Sequence, residues 1–152
     1  MFDSTYMASI YRIEAVNFRE SAKILSQAFE TPEDASPASI SALPFYFLIS
    51  HATELLLKSA LLKRGFTESD LKKHQYRHSL IALLEELLRK GVSVTPETIR
   101  VVTGLHPQHE SHALRYTALV DDGKKTYMPP PSLVFVMLDE LLLLTRISTQ
   151  GV

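Results

Sequence analysis

Apolar residues occupy nearly every side of the stretch Pro44 to Arg64, PFYFLISHATELLLKSALLKR, which predicts one long helix. Only His51, Glu54 and Lys58 interrupt this apolar surface. At about 100° per residue, the three fall within about 60° of one another on the helix. A helix that is apolar on all sides is normally enclosed by its neighbours. We therefore expect it at the centre of the fold, with a buried polar stripe that needs partners.

The other apolar patterns also have helical spacing, and none indicates a strand. A leucine stripe runs from Leu80 to Leu88, and Thr95-Pro96-Glu97 is typical of a helix start. The segment 104–120 shows no periodicity, and Pro107 argues against a regular helix there. The sequence predicts an all-α fold, an antiparallel four-to-five-helix up-and-down bundle forming a single domain, 1–152. The predicted main helices span about 4–29, 40–64, 79–90, 95–103 and 131–146.

Composition limits the classes of function. Hydrophobic residues make up 45% of the chain and the net charge is −1, so any nucleic-acid site must be a local patch. Cysteine is absent, which excludes disulfides and thiolate metal ligands and fits a reducing cytoplasm. No signal peptide is recognisable, and no uncharged apolar run reaches the ~18 residues of a membrane span. We expect a cytoplasmic protein without a membrane segment or a cofactor.

Candidate chemistry starts from the polar stripe. Glu54 precedes Lys58 by four residues, the favourable order for an ion pair on one helix. This pair is either structural or part of a ligand site. His78 either caps the following helix or turns towards Glu54 as a proton carrier. Arg115 and Tyr116 either anchor a loop or meet the stripe, where a guanidinium would pair well with the Glu54 carboxylate.

Three histidines, His106, His109 and His112, are spaced three residues apart, as metal ligands sometimes are. No fourth ligand is evident beside them, and Pro107 disfavours the helix that would align their side chains. If the protein has affinity for nickel or zinc, we interpret it as incidental binding to these histidines rather than as a dedicated metal site. We expect no bound metal.

The chain contains the segments FYFLISHATELLLKSALLKRG, YRHSLIALLEEL and LRYTALV. Together they resemble the HEPN-domain family of nucleotide-associated helical bundles. FYFLISHATELLLKSALLKRG is similar to the family's apolar helix that carries His, Glu and Lys and ends in Gly. YRHSLIALLEEL is similar to its Gly-His-x-Leu segment, with Arg77 in place of the usual Gly. LRYTALV is similar to its Arg-Tyr segment. Together these matches span 45–120.

The resemblance implies a bundle that often dimerises and often works with nucleotides or RNA. The central helix, apolar on all sides, also predicts a homodimer, in which a second copy of the chain covers part of its surface. Many HEPN members are ribonucleases of toxin–antitoxin or defence systems, and others are silent partners of minimal nucleotidyltransferases. Family ribonucleases carry Arg, four to six residues and then His on a helix. Arg100 and His106 have this spacing, although Gly104 lies between them and Pro107 follows.

These considerations predict a pocket that binds a nucleotide or RNA. In the pocket, Lys58 and Arg115 hold phosphate, Tyr116 contacts the ligand, and His51 belongs to the same polar stripe. If there is cleavage, His78 transfers the proton and Arg115 stabilises the developing charge. The alternative is a non-catalytic interaction module in which the polar stripe only sets the register of the bundle.

Overall fold

A computed structural model describes residues 3–27, 42–111 and 128–146. The described residues form helices and turns without a strand, which confirms the predicted all-α class. The helices are α1 Ser4–Ser26, α2 Ala42–Leu62, α3 Glu68–Leu71, α4 Leu80–Arg89, α5 Pro96–Glu110 and α6 Pro131–Leu144, with a 3₁₀ turn at His74–Tyr76 between α3 and α4.

Helix α2 is the central element, as its apolar pattern predicts. It contacts α1, α4, α5 and α6, and most of its residues are buried. By length and composition α2 could cross a membrane, but 78% of the relevant window is buried inside the molecule. Such burial is what the core helix of a soluble protein shows. The chain itself therefore supplies the enclosure that α2 requires.

Helix α1 packs against α2 through alanines. Ala8, Ala15 and Ala22 are buried at seven-residue intervals, and their small side chains let the two backbones approach closely. The Ser59 hydroxyl on α2 donates a hydrogen bond to the Ala8 carbonyl at 2.7 Å. Because this polar group of α2 bonds the backbone of α1, the register of the two helices is fixed by a buried contact.

Helix α6 runs antiparallel to α1, because Arg12 donates to Thr145 while Arg19 donates to Asp139. It runs parallel to α2, since two hydrogen bonds join the helices in the same order. The Tyr46 hydroxyl donates to the Pro129 carbonyl just before α6, and Arg64 donates to the Leu144 carbonyl at its end. The all-α class is thus present, while the up-and-down order of a HEPN-like bundle stays a prediction.

Glycine stops and capping residues mark several of the helix ends. Gly65 and Gly91 adopt φ values of +96° and +86° after α2 and α4, a left-handed stop that favours glycine. Thr67 and Asp70 form the reciprocal capping box that starts α3. Thr95 caps α5, with Pro96 as its first residue.

The prediction that α5 ends near residue 103 was wrong. The helix continues through Gly104 and Pro107 to Glu110. Pro107 lacks the N–H that would reach the Thr103 carbonyl, but both residues are exposed, so water can satisfy that carbonyl. One face of α5 is buried along its whole length, and this packing outweighs the cost of the proline. The buried residues are Thr98, Val101, Val102, Leu105 and His109.

Candidate functional site

The Glu54 carboxylate is the centre of a polar cluster inside the bundle. Its side chain is 3% exposed, and within the described ranges it receives three hydrogen bonds. Lys58 Nζ lies 2.5 Å from Oε1, while His109 Nε2 and His78 Nδ1 lie 2.5 Å and 3.3 Å from Oε2. The four residues, which we call the Glu54 cluster, come from α2, the segment before α4, and α5. The cluster therefore ties three parts of the fold together.

The charge state of Glu54 follows from these donors. Burial alone would raise the pKa of the carboxyl, but the hydrogen bond from His109 and the positive charge of Lys58 outweigh it and hold the pKa well below its usual range. An ionised carboxylate can only accept hydrogen bonds. His109 Nε2 and His78 Nδ1 therefore both carry the hydrogens that they donate to Glu54.

His78 joins the cluster to the surface. Its side chain is 39% exposed, and its ring centroid lies 6.0 Å from that of His109. The backbone of His78 adopts φ +54°, a left-handed conformation that residues other than glycine rarely adopt. The cap of α4 is Ser79, whose hydroxyl accepts from the Ala82 N–H. His78 is thus turned towards Glu54, the second of the two roles that its sequence position allowed.

His109 is the cluster member that sequence reasoning missed, because it was assigned to an aperiodic segment. It is 6% exposed and lies in the last turn of α5. A signal for it exists, since Thr98, Val102, Leu105 and His109 recur at helical spacing through the proline. Extending the α5 pattern beyond Pro107 would have placed His109 on the buried face.

Basic residues lie on the surface directly before His78. Lys72, Lys73, His74 and Arg77 are all exposed in the segment 72–77 that leads into it. Lys73 pairs with Asp70 at 2.9 Å, and Arg77 donates from Nε to the Lys72 carbonyl at 3.4 Å. We call this segment the basic rim. It provides the local positive patch that a near-neutral chain needs to attract an anion.

The remaining predicted site residues have different outcomes. His51 packs edge-on against Phe18 at 4.7 Å and parallel to Phe47, on the α1 side of α2. It also lines an open groove with Phe18, Glu14 and other residues. Among the described residues, Glu54 takes its hydrogen bonds from Lys58 and the two histidines, so a ligand site that His51 shares with Glu54 and Lys58 stays a prediction. The prediction that Arg115 pairs with Glu54 and that Tyr116 lines the site lies outside the described residues.

The run of histidines in α5 does not form one site. His109 faces Glu54, whereas His106 Nε2 pairs with Glu110 at 3.1 Å. His112 lies outside the described residues. The two described histidines thus serve different carboxylates.

Arg100 and His106 lie on the same unbroken helix, so Gly104 and Pro107 do not disrupt its path. Six residues apart, they project about 120° from each other around α5. Arg100 is 72% exposed and pairs with Glu97, while the His106 side chain is 14% exposed. The two side chains thus point in different directions from one helix.

Comparison of the chain with protein-family models, with curated proteins and with solved structures found no match.

Proposed function

We propose that this chain is a HEPN-like protein that binds RNA, or a nucleotide, by its phosphate groups at the basic rim and His78. One observation carries the proposal: a half-exposed imidazole, held by a buried carboxylate, stands at the end of an exposed basic segment. Such a pair orients the ring and fixes which ring nitrogen faces the carboxylate, as in carboxylate–histidine pairs of known active sites. Lys72 and Arg77 supply positive charge for the phosphates.

The same geometry supports ribonuclease chemistry. Because Nδ1 of His78 donates to Glu54, Nε2 is the nitrogen that exchanges a proton with a substrate. In this reaction His78 takes the proton of an RNA 2′-hydroxyl, whose oxygen attacks the adjacent phosphorus while the bond to the 5′-oxygen breaks. Water supplies the proton that the departing 5′-oxygen takes up. Glu54 remains ionised throughout and stabilises the imidazolium that forms.

The binding part of the proposal is tested with the charge-reversal variant Lys72→Glu/Arg77→Glu and a fluorescently labelled single-stranded RNA. We expect its affinity for RNA to fall at least tenfold, and the slope of log K against log salt to become shallower by about 1.4, because two phosphate contacts are lost. Lys23→Glu, on the exposed last turn of α1, is the matched control and should bind as the unaltered protein does. Equal affinity of all three proteins would contradict the proposal.

The catalytic part is tested separately by incubating mixed RNA with the protein and with His78→Ala. Cleavage that the variant loses, with RNA affinity reduced less than fivefold, supports proton transfer by His78. Equal cleavage by both proteins, or none by either, removes the catalytic role. Binding at the basic rim would survive that result.

A second candidate is favoured by the pairing of both Glu54 oxygens with described residues of the bundle. Three donors from the described residues pair both carboxylate oxygens, as expected of a structural network in a non-catalytic interaction module. The partner would be a cognate antitoxin or a nucleotidyltransferase. In that case Glu54→Gln lowers stability, RNA affinity is absent, and co-purification with the product of a neighbouring gene identifies the partner.

A further inference from the structure

The Glu54 cluster has the composition of a metal site as well as that of a hydrogen-bonded network. Glu54, His78 and His109 each offer one ligand atom, and these atoms all lie within 4.8 Å of one another. We infer that these three side chains bind a divalent transition-metal ion of the zinc type. The inference goes beyond the proposed function and does not depend on RNA binding.

The ligand set matches a zinc site that keeps an open position. Two histidines, one glutamate and a water form the tetrahedral coordination of several zinc enzymes, with metal–ligand bonds of about 2.0–2.1 Å. Such bonds place neighbouring ligand atoms about 3.3 Å apart. His78 Nδ1 already lies 3.3 Å from Glu54 Oε2. His109 Nε2 lies 2.5 Å from the same oxygen and must withdraw by slightly less than 1 Å.

Access and anchoring also suit an ion. His78 is 39% exposed, so an ion can enter from its side and keep a water molecule facing solvent. Glu54 and His109 are 3% and 6% exposed and come from two packed helices, so two of the ligands are held firmly. On binding, the hydrogen on each coordinating nitrogen moves to the other ring nitrogen or to water. The donated hydrogen bonds are thereby replaced by coordination bonds.

Lys58 is the competitor for this site. Its ammonium neutralises Glu54 through Oε1 and repels a second cation beside the same carboxylate. Because its side chain is 19% exposed, Lys58 can swing towards solvent when the ion enters. Removing the charge of Lys58 should therefore strengthen metal binding, whereas removing either histidine should weaken it. A merely structural network does not produce these opposite effects.

The experiment uses full-length protein without a histidine tag, freed of metal with a chelator, and titrated with Zn²⁺ by calorimetry. We expect one equivalent to bind, at least tenfold more weakly in His78→Ala and His109→Ala and severalfold more tightly in Lys58→Met. His106→Ala, one turn away on α5 and paired with Glu110, is the matched control and should bind as the unaltered protein does. Circular dichroism verifies the fold of each variant. The decisive variant is His78→Ala, because the His78 side chain is half-exposed and its removal disturbs the core less than removal of His109 does.

Co²⁺ provides an independent readout, because four-coordinate cobalt absorbs visible light strongly whereas the hydrated ion does so weakly. Visible absorption that is present in the unaltered protein and lost in His78→Ala supports the inference. Absence of stoichiometric binding would overturn it, as would binding that survives in His78→Ala and disappears in His106→Ala. None of these results depends on RNA, so failure of this inference and failure of the proposed function can be told apart.

Discussion

At the scale of single residues, the sequence identified most of the Glu54 cluster. Glu54 and Lys58 stood out because they are charged residues in an apolar helix, and His78 because it precedes a helix start. His109 was missed, since a proline two residues earlier concealed the helix that carries it. His51 packs against Phe18 of α1, which the sequence did not indicate, because angular position within about 60° does not decide which neighbouring helix a side chain meets.

The prediction at this scale concerns the variant Glu54→Gln. An amide offers one oxygen where the carboxylate offers two, so its NH₂ group must face Lys58 or a histidine N–H, and one buried donor stays unsatisfied. We expect the free energy of unfolding to fall by about 2 kcal/mol in urea denaturation. Adding Lys58→Met should recover about 1 kcal/mol, because the uncompensated ammonium is then removed.

The control for this change is Glu85→Gln on the exposed side of α4. It should alter stability by no more than about 0.5 kcal/mol, as surface substitutions usually do. If both glutamine variants were equally stable, the Glu54 cluster would not contribute to the fold.

At the scale of elements, apolar periodicity and capping residues located four of the five predicted main helices closely, because both are local signals. Helix α5 departs from this agreement for a reason that is not local. The propensity cost of Gly104 and Pro107 is set by the two residues themselves, whereas the compensating burial of Leu105 and His109 depends on α2 and α4 being in place. A prediction from local sequence therefore includes the propensity cost of the glycine and the proline but omits the tertiary packing that compensates for it.

The element-scale prediction is that Pro107→Ala stabilises the protein. A proline inside a helix costs about 3 kcal/mol relative to alanine. Replacing it also raises the entropy of the unfolded chain, which reduces the gain in stability by about 0.4–1 kcal/mol. Since Pro107 is exposed and no packing is lost, we expect a net gain of about 2 kcal/mol in urea denaturation. Pro96→Ala, at the first position of the same helix, is the matched control and should be neutral or slightly destabilising. A loss of stability in Pro107→Ala would mean that the proline shapes the end of α5 that carries His109.

At the scale of the whole molecule, the central position of α2 followed from the sequence, but the helix directions did not. The parallel course of α2 and α6 is set by contacts between residues far apart in the chain, such as Arg64 with the Leu144 carbonyl. Homodimerisation was expected because α2 is apolar on all sides. Because neighbouring helices of the same chain cover α2, its apolar surface does not require a second copy. Dimerisation therefore stays a prediction that rests on the family resemblance alone.

Stability in acid is a property of the whole molecule, because folding lowers the pKa of carboxyl groups in several parts of the fold. Hydrogen bonds, chiefly from Lys73, lower the pKa of Asp70 to about 2. The pKa of Glu86 is lowered by Arg89, and that of Glu140 is lowered by threonine donors that outweigh its burial. With Glu54, four carboxylates thus bind protons less readily in the folded chain than in the unfolded chain, where their pKa is about 4.

The sign of the pH dependence follows from this difference. Below pH ~4 the unfolded chain binds more protons than the folded one, so the free energy of unfolding falls as the pH falls. We expect urea denaturation to show a clear loss of stability from pH 6 to pH 3. The loss should be smaller in Glu54→Gln, because that variant has already lost the most buried of these carboxylates at every pH. Equal losses in both proteins would show that Glu54 keeps an ordinary pKa in the folded state, and would contradict the strong stabilisation of its ionised form by His109 and Lys58.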